Sequence, residues 1–194
     1  MKKALFTLGV LVTGVLSTSA QSTWKADPTH TKVSFAVSHL VISEVEGQFG
    51  EFDISATSKN EDFNGESIEV NIKVNSVDTD NEQRDGHLKS GDFFDAEKHP
   101  QIKFKGKSLK KSGKKYKLVG DLTIRDVTKT VEFEADYNGT VKDPWGNTRA
   151  GFKIEGTINR FDYGLKYNDL LEAGGAVVGE EVDITVNVEL IKQS

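Results

Sequence analysis

The sequence predicts an all-β domain with one short helical insertion, built as an eight-stranded antiparallel barrel or sandwich. Apolar and polar residues alternate over most of the chain, which is the period that places successive side chains on opposite faces of a strand. Short turns rich in Gly, Asn and Asp separate these runs. The run 147–160 spans about 45 Å at roughly 3.3 Å per residue, which suits a large sheet that curls on itself.

Eight runs with one apolar face follow in order, at 33–39, 45–54, 68–74, 102–106, 116–124, 131–137, 147–160 and 182–190. The second run changes face near Gly50, which indicates a bulge. Asn138-Gly139 and 143–146 are interpreted as turns, and 161–179 as a loop. Closure into a barrel removes exposed edges, and eight strands can enclose one small ligand.

Residues 78–100 interrupt the strand pattern. Residues 80–85 are predicted as a short helix after an Asp cap, with Leu88 packing inward. Residues 90–95 are predicted as a second capped turn that ends by His99-Pro100.

The first twenty residues predict a secretory signal peptide. Two lysines precede a short apolar run and then small residues, so we expect cleavage after Ala20 and one mature domain over 21–194. The apolar run is too short and too rich in Thr, Gly and Ser to favour a membrane anchor.

Composition limits the chemistry. The formal net charge is -5 and no basic stripe occurs, which argues against nucleic acid as a partner. The chain has no Cys, so disulfides and thiol chemistry are excluded. Its four His do not follow a metal-ligand pattern, and no catalytic or phosphate-binding motif occurs. We therefore expect neither a metal, nor a cofactor, nor a catalytic residue.

The inward-facing positions predict an apolar lumen with gaps. The small residues with inward parity are Gly47, Gly120, Ala135, Ala150 and Gly156. They either mark bends of the barrel or leave space for a ligand. The predicted lumen residues are Val33, Phe35, Val37, His39, Phe49, Leu122, Phe133, Ala150, Phe152, Ile154 and Arg160.

Polar residues with the same parity are few, namely His39, Tyr116, Tyr137 and Arg160. Arg160 has two interpretations. It either forks onto the phosphate or carboxylate of a ligand, or pairs with a structural carboxylate such as Asp162 or Asp92.

Several stretches in order along the mature chain resemble the YceI family of bacterial periplasmic proteins. They include Asp-Pro-Thr-His-Thr at 27–31, Gly-Asp-Phe-Phe-Asp at 91–95 and Asn-Arg-Phe-Asp-Tyr-Gly at 159–164. Asp126 and Thr130 stand where the family often has Gly and Pro. The resemblance implies a lipocalin-like barrel in the periplasm, whose pocket takes a long amphiphile such as a polyisoprenoid or a fatty-acid-like amide.

Three functions follow from this reading. The first is a non-catalytic carrier or store for an isoprenoid or other long-chain lipid, whose head group meets His39, Arg160 or the loop near Tyr163 and Asn168. A Trp at Ala150 should then block lipid uptake. The second is an enzyme with His39 or Asp92 as acid or base. The third is a stress or surface-contact protein with a filled core. The loop 165–178 is either a lid or a contact of a possible homodimer.

Overall fold

The computed structural model describes residues 21–59, 63, 67–169 and 177–193. The predicted signal peptide and part of the 165–178 loop lie outside these residues. Among the helices of the described chain, none has the length and apolar character needed to cross a bilayer.

The described residues contain eleven strand segments, one α-helix and two short 3-10 helices, at Val74–Ser76 and Arg160–Tyr163. In chain order the strands and the α-helix are β1 Ser22–Ala26, β2 Lys32–His39, β3 Ser43–Phe49, β4 Phe52–Ser58, β5 Ser67–Lys73, β6 Val77–Asp78, α1 Glu82–Lys89, β7 Gln101–Ser112, β8 Lys115–Ile124, β9 Val127–Lys142, β10 Thr148–Asn159 and β11 Val178–Lys192.

The segments form a closed eight-stranded antiparallel barrel, as predicted. β1 and β2 both pair with β11, from Trp24 opposite Lys192 to His39 opposite Val178. β4 pairs with β1, and β3 pairs with β2. β1 and β2 are therefore two segments of one barrel strand, and β3 and β4 are two segments of the next. The break between β3 and β4 falls at Gly50, where the sequence predicted a bulge. β4, β5, β7, β8, β9, β10 and β11 then follow in order around the ring.

Two features of the strands differ from the prediction. β1 was not predicted, because five residues before a turn are too few to show a clear period. Asn138-Gly139 was interpreted as a turn, and that interpretation is wrong, since both residues lie inside β9. Gly139 adopts a φ of 110° opposite Gly151, where the register of the two strands shifts, so the glycine serves a bulge.

The helical insertion begins later and extends further than predicted. Asn81 caps α1, because its side chain accepts a hydrogen bond of 2.9 Å from the backbone N–H of Arg84. The helix then continues to Lys89. Arg84, His87 and Leu88 share one face at helical spacing, and all three line the interior of the barrel. α1 therefore covers one end of the barrel.

Candidate functional site

An apolar cavity of about 380 Å³ runs along the inside of the barrel. This volume falls within the range of about 300–1,000 Å³ that small-molecule sites occupy in proteins. Its wall takes residues from nearly every strand and from α1. Ten of the eleven predicted lumen residues belong to that wall, namely Val33, Phe35, Val37, His39, Phe49, Leu122, Phe133, Phe152, Ile154 and Arg160.

The exposure of the inward-facing residues decreases along β11. Val182, Ile184 and Val186 alternate along the strand, line the cavity and remain partly exposed. Val188 and Leu190 continue the same row and are fully buried. All five side chains line the cavity, and the remaining exposure of the first three indicates that the cavity is wider towards the start of β11.

The small residues of the inner face do not act as simple gaps. A Cβ placed on Gly47, Gly120 or Gly156 would lie 2.4, 2.3 or 2.2 Å from the ring of Phe35, Phe104 or Phe133 respectively. The three rings therefore rest against the wall over a glycine. This arrangement fits neither interpretation made from the sequence, because the glycines make room for aromatic rings.

Aromatic rings close one end of the barrel. The Phe63 ring centroid lies 4.9 Å from that of Trp24 and 5.0 Å from that of Phe152, and Tyr137 lies 5.0 Å from Phe152. Ala150 is buried at this end and does not line the cavity, which corrects its prediction as a lumen residue. The Tyr137 hydroxyl reaches Thr140, the residue paired with Ala150, so the Tyr137 ring fills the neighbouring space.

Polar residues gather at the opposite end, which is named the α1 end here. The polar side chains in the cavity wall are Ser34, Ser38, His39, Arg84, His87, Arg160 and Tyr167. Within the described part of the chain, the wall contains two arginines and no Asp or Glu. The α1 end is therefore rich in hydrogen-bond donors and poor in anionic acceptors.

Arg160 is 4% exposed and forms its hydrogen bonds with backbone carbonyls. Its Nε donates to Gly179 at 2.7 Å, and its Nη2 donates to Val178 at 3.0 Å. Its Nη1 donates to Leu165 at 2.5 Å and to Tyr167 at 2.8 Å. These bonds tie the loop after β10 to the start of β11.

Neither interpretation of Arg160 from the sequence described this arrangement. Among the described residues, Asp162 and Asp92 form no ion pair with its guanidinium. Burial lowers the pKa of Arg160, and the nearby Glu180 opposes that shift. Arg160 therefore shapes the α1 end, and one Nη2 hydrogen is left over from its four bonds.

His87 stands in an aromatic group at the α1 end. Its ring centroid lies 5.0 Å from that of Phe93 and 4.8 Å from that of Tyr167, edge to face in both cases. Its Nε2 lies 2.9 Å from an Asp92 carboxylate oxygen. The sequence assigned no role to His87, although its spacing from Arg84 on a helix would have placed both on one face.

Among the described residues, the guanidinium of Arg84 forms its hydrogen bonds with Thr79. Its Nε donates to the Thr79 hydroxyl at 2.7 Å and its Nη2 to the Thr79 carbonyl at 2.5 Å. Asp85 accepts from the same Thr79 hydroxyl at 2.6 Å. Because Nη1 has no hydrogen bond to any described residue, Arg84 presents free N–H groups at the cavity wall.

Of the residues predicted to meet the head group at the mouth, some line the cavity and others do not. His39 lines the cavity at the end of β2. Tyr163 is buried and does not line the cavity, and burial raises the pKa of its hydroxyl to about 12. Asn168 does not line it either. Among the described residues of this loop, Leu165, Tyr167, Val177 and Val178 line the cavity, and Tyr167 has the polar side chain.

One group at the closed end has possible metal ligands. Donor atoms of Asp27, His30 and Glu189 lie within 4.8 Å of one another. Arg149 donates to Asp27 at 2.8 Å and also to Glu189. The Arg149 guanidinium thus already neutralises both carboxylates, and the group is better explained as an ion-pair network.

The fold and the cavity define a lipocalin-like barrel, a class whose eight strands enclose a single ligand site. Residues 24–190 match the YceI-like domain, and the chain therefore belongs to the YceI-like family.

Relatives support this membership. A UPF0312 protein of Staphylococcus aureus (strain MSSA476) is 38% identical over 164 residues, which cover 84% of this chain and 94% of the relative. The YceI protein of Campylobacter jejuni is 28% identical with a TM-score of 0.67, and the match covers 81% of this chain and 90% of that one.

Two more distant structures share the fold. BcnA of Burkholderia cenocepacia is 22% identical with a TM-score of 0.73, over 84% of this chain and 98% of its own. A polyisoprenoid binding domain from Saccharophagus degradans is 14% identical with a TM-score of 0.63, over 88% of this chain and 98% of its own.

Proposed function

We propose that the protein binds one long-chain amphiphile, an isoprenoid or fatty-acid-like lipid, and carries or stores it without chemical change. The apolar cavity with its single polar end carries this proposal. The structural similarity to a polyisoprenoid binding domain agrees with it.

The hydrocarbon tail would lie between the aromatic floor and the α1 end. Burial of each methylene contributes about 0.8 kcal/mol before the costs of association. Because the partly exposed side chains of β11 already face an apolar space, a tail removes their remaining surface from water as well as its own. Binding of this kind requires shape and exclusion of water, and no reactive group.

The head group would lie among Arg84, His87 and Tyr167. Arg84 has free N–H groups there, and Arg160 has one N–H beyond its four carbonyl contacts. These donors suit a head group that accepts hydrogen bonds. Compared with the expectation from sequence, the assignment moves from His39 and the region of Tyr163 to the face of α1.

An enzymatic role has one supporting contact, the pair of His87 and Asp92. Such a pair needs a nucleophile or an activated water beside it. In the described residues, no Ser or Thr hydroxyl bonds to the imidazole of His87, since the Ser90 hydroxyl donates to the His87 backbone carbonyl. Turnover of a candidate lipid that is lost on His39→Ala or Asp92→Asn would favour the enzyme over the carrier.

Export to the periplasm belongs to the same proposal. Its support is the amino-terminal pattern of two lysines, an apolar run and small residues. Mass measurement of the protein from cells should give a chain that begins at Gln21. A chain that retains residues 1–20 would contradict the processing.

Native mass spectrometry of the purified protein tests the binding function. We expect one bound lipid per chain, or uptake of one when a long-chain lipid is supplied in detergent. Val186→Trp should abolish this uptake, because Val186 lines the cavity beside Ile154 on the neighbouring strand. This variant replaces the test at Ala150, which lies outside the cavity.

Val186→Ala is the matched control, since it keeps the backbone position and widens the same space. It should bind lipid as the unchanged protein does. A protein that never takes up lipid supports the filled-core alternative. Equal uptake by Val186→Trp and Val186→Ala would contradict the cavity as the binding site.

A further inference from the structure

The tip of the β2–β3 hairpin combines two unusual features. Val41 and Ile42 are 70% and 85% exposed, and together with Leu40 they form a continuous apolar sequence. Leu40 and Val41 also have positive φ angles of 53° and 65°. The backbone N–H of Ile42 bonds to the His39 carbonyl at 3.2 Å and closes the turn.

A turn with positive φ at both central residues favours Asn-Gly, because these residues tolerate the left-handed region. A β-branched residue such as Val41 is a clear outlier in this conformation. Exposed Val and Ile side chains also do not favour a turn in water. The tip therefore violates two local preferences at once, and such sites are often functional.

The tip stands at the α1 end of the cavity. His39 and Ser38, which precede it, line the cavity wall. The backbone N–H of Leu40 bonds to the carbonyl of Val177, another wall residue, at 3.0 Å. Apolar side chains thus project from the barrel next to the polar end of its cavity.

The charges around the tip indicate which surface it meets. Glu44, Glu180 and Glu181 are exposed on the adjoining strand ends. Neither 36–48 nor 177–183 contains Lys or Arg. A surface of anionic phospholipids would repel this rim, whereas a zwitterionic surface would not.

We propose that the tip 40–42 inserts into the surface of a neutral phospholipid bilayer and so holds the α1 end of the cavity against the membrane. The insertion depends on the apolar tip and its surroundings. Its purpose, exchange of lipid between membrane and cavity, rests on the proposed function.

Flotation with phosphatidylcholine vesicles tests this proposal. The protein should float with the vesicles, and a Val41→Asp, Ile42→Asp double variant should bind at least about tenfold more weakly, because two apolar anchors are replaced by charges. Replacing part of the phosphatidylcholine with phosphatidylglycerol should weaken binding at low salt, and added salt should remove that difference.

The opposite end of the barrel offers matched controls. Val141 and Trp145 are 65% and 80% exposed near the turn between β9 and β10, which lies at the closed end. Val141→Asp and Trp145→Ser should leave vesicle binding within about twofold of the unchanged protein. If they reduce it as much as the tip variant does, exposed apolar residues in general explain the binding and the proposal is wrong.

Lipid supplied in detergent separates this proposal from the proposed function. The tip variant should take up such lipid normally while it loses vesicle binding. Absence of vesicle binding by the unchanged protein would overturn the docking proposal even where uptake from detergent is normal. Stronger binding to phosphatidylglycerol than to phosphatidylcholine would overturn it as well.

Discussion

β10 has an arginine near each end, and their surroundings are opposite. Near its start, Arg149 pairs with three carboxylates, those of Asp27, Asp143 and Glu189. Just after its end, Arg160 is surrounded by backbone carbonyls. The first arginine lies at the end filled by aromatic rings, and the second lines the cavity.

The two ends of β10 therefore serve different purposes: the Arg149 end stabilises the fold, and the Arg160 end lies beside the space for a ligand. At the closed end, every charge of the Arg149 network has a partner, and rings fill the interior behind it. At the α1 end, the positive charge of Arg160 has backbone dipoles as partners, and N–H groups of Arg84 remain free beside an open space. A polar ligand group would therefore find free donors beside the cavity at the α1 end, whereas the described charges of the closed end are already paired.

Removal of the aromatic floor should have the largest effect. Phe63→Ala should lower the free energy of unfolding by about 3–5 kcal/mol, because the ring is fully buried against Trp24 and Phe152. The cavity should also extend towards Ala150 and accept a longer tail. Urea unfolding and lipid uptake measure the two effects, and Phe63→Leu should show less of both. Unchanged stability would mean that the ring does not form the floor.

Arg160→Met should destabilise the protein by about 3 kcal/mol, since several carbonyls lose their donor at a buried site. The loop after β10 and the start of β11 should lose protection from hydrogen exchange together. Arg160→Lys should destabilise the protein less than Arg160→Met, because an ammonium keeps the charge and some of the donors. It should still destabilise the protein, because an ammonium has fewer donors than a guanidinium and a different geometry. Local protection that persists in Arg160→Met would contradict its role in joining the two segments.

The Arg149 network should control acid stability. Burial alone would raise the pKa of Asp143, but hydrogen bonds from Arg149 and Asn147 outweigh it and bring the pKa to about 2. Hydrogen bonds from Thr29, Arg149 and His30 lower the pKa of Asp27 as well. A carboxyl with a lowered folded pKa stabilises the fold above its unfolded value of 3.8, and this contribution disappears as the pH falls towards 2.

Arg149→Gln should therefore flatten the loss of stability between about pH 4 and pH 2, and should lower stability at pH 7. Thermal unfolding across this pH range measures both effects. Lys110→Gln, at an exposed position of β7, should leave the acid profile as it is. An equal flattening in both variants would show that net charge, and not the network, sets the profile.

The smallest effect should appear at the hairpin tip, with the opposite sign. Val41→Gly should raise the free energy of unfolding by about 1 kcal/mol, because glycine adopts a positive φ without steric cost. Vesicle binding should fall at the same time, since one apolar anchor is lost. Thermal unfolding and flotation of the same sample test the pair of effects. A variant that becomes less stable would show that Val41 is not strained.

Much of the fold was predictable because a strand produces an alternating pattern in its own local sequence. The alternation of apolar residues in β10 and β11 predicted both strands and their inner faces, and the change of face within the second run predicted the break near Gly50. The errors came where local sequence is ambiguous. Asn138-Gly139 suits a hairpin turn as well as a bulge, and only pairing with Gly151 decides between them.

The site was predictable in part for the same reason. Inward parity found most of the cavity wall, but parity cannot tell a packed row from an open one, as Ala150 shows. It also cannot show what a side chain contacts, and the carbonyl partners of Arg160 come from segments distant in sequence.

The sequence by itself determined most of the strands, their inner faces and the absence of any thiol chemistry, because each depends on neighbouring residues or on composition. The tertiary structure decided which end of the barrel is filled, where the phenyl rings rest on glycines, and how α1 brings Arg84 and His87 to the cavity. These features depend on contacts between strands far apart in the chain, and the alternation within a single strand contains no information about its distant partners.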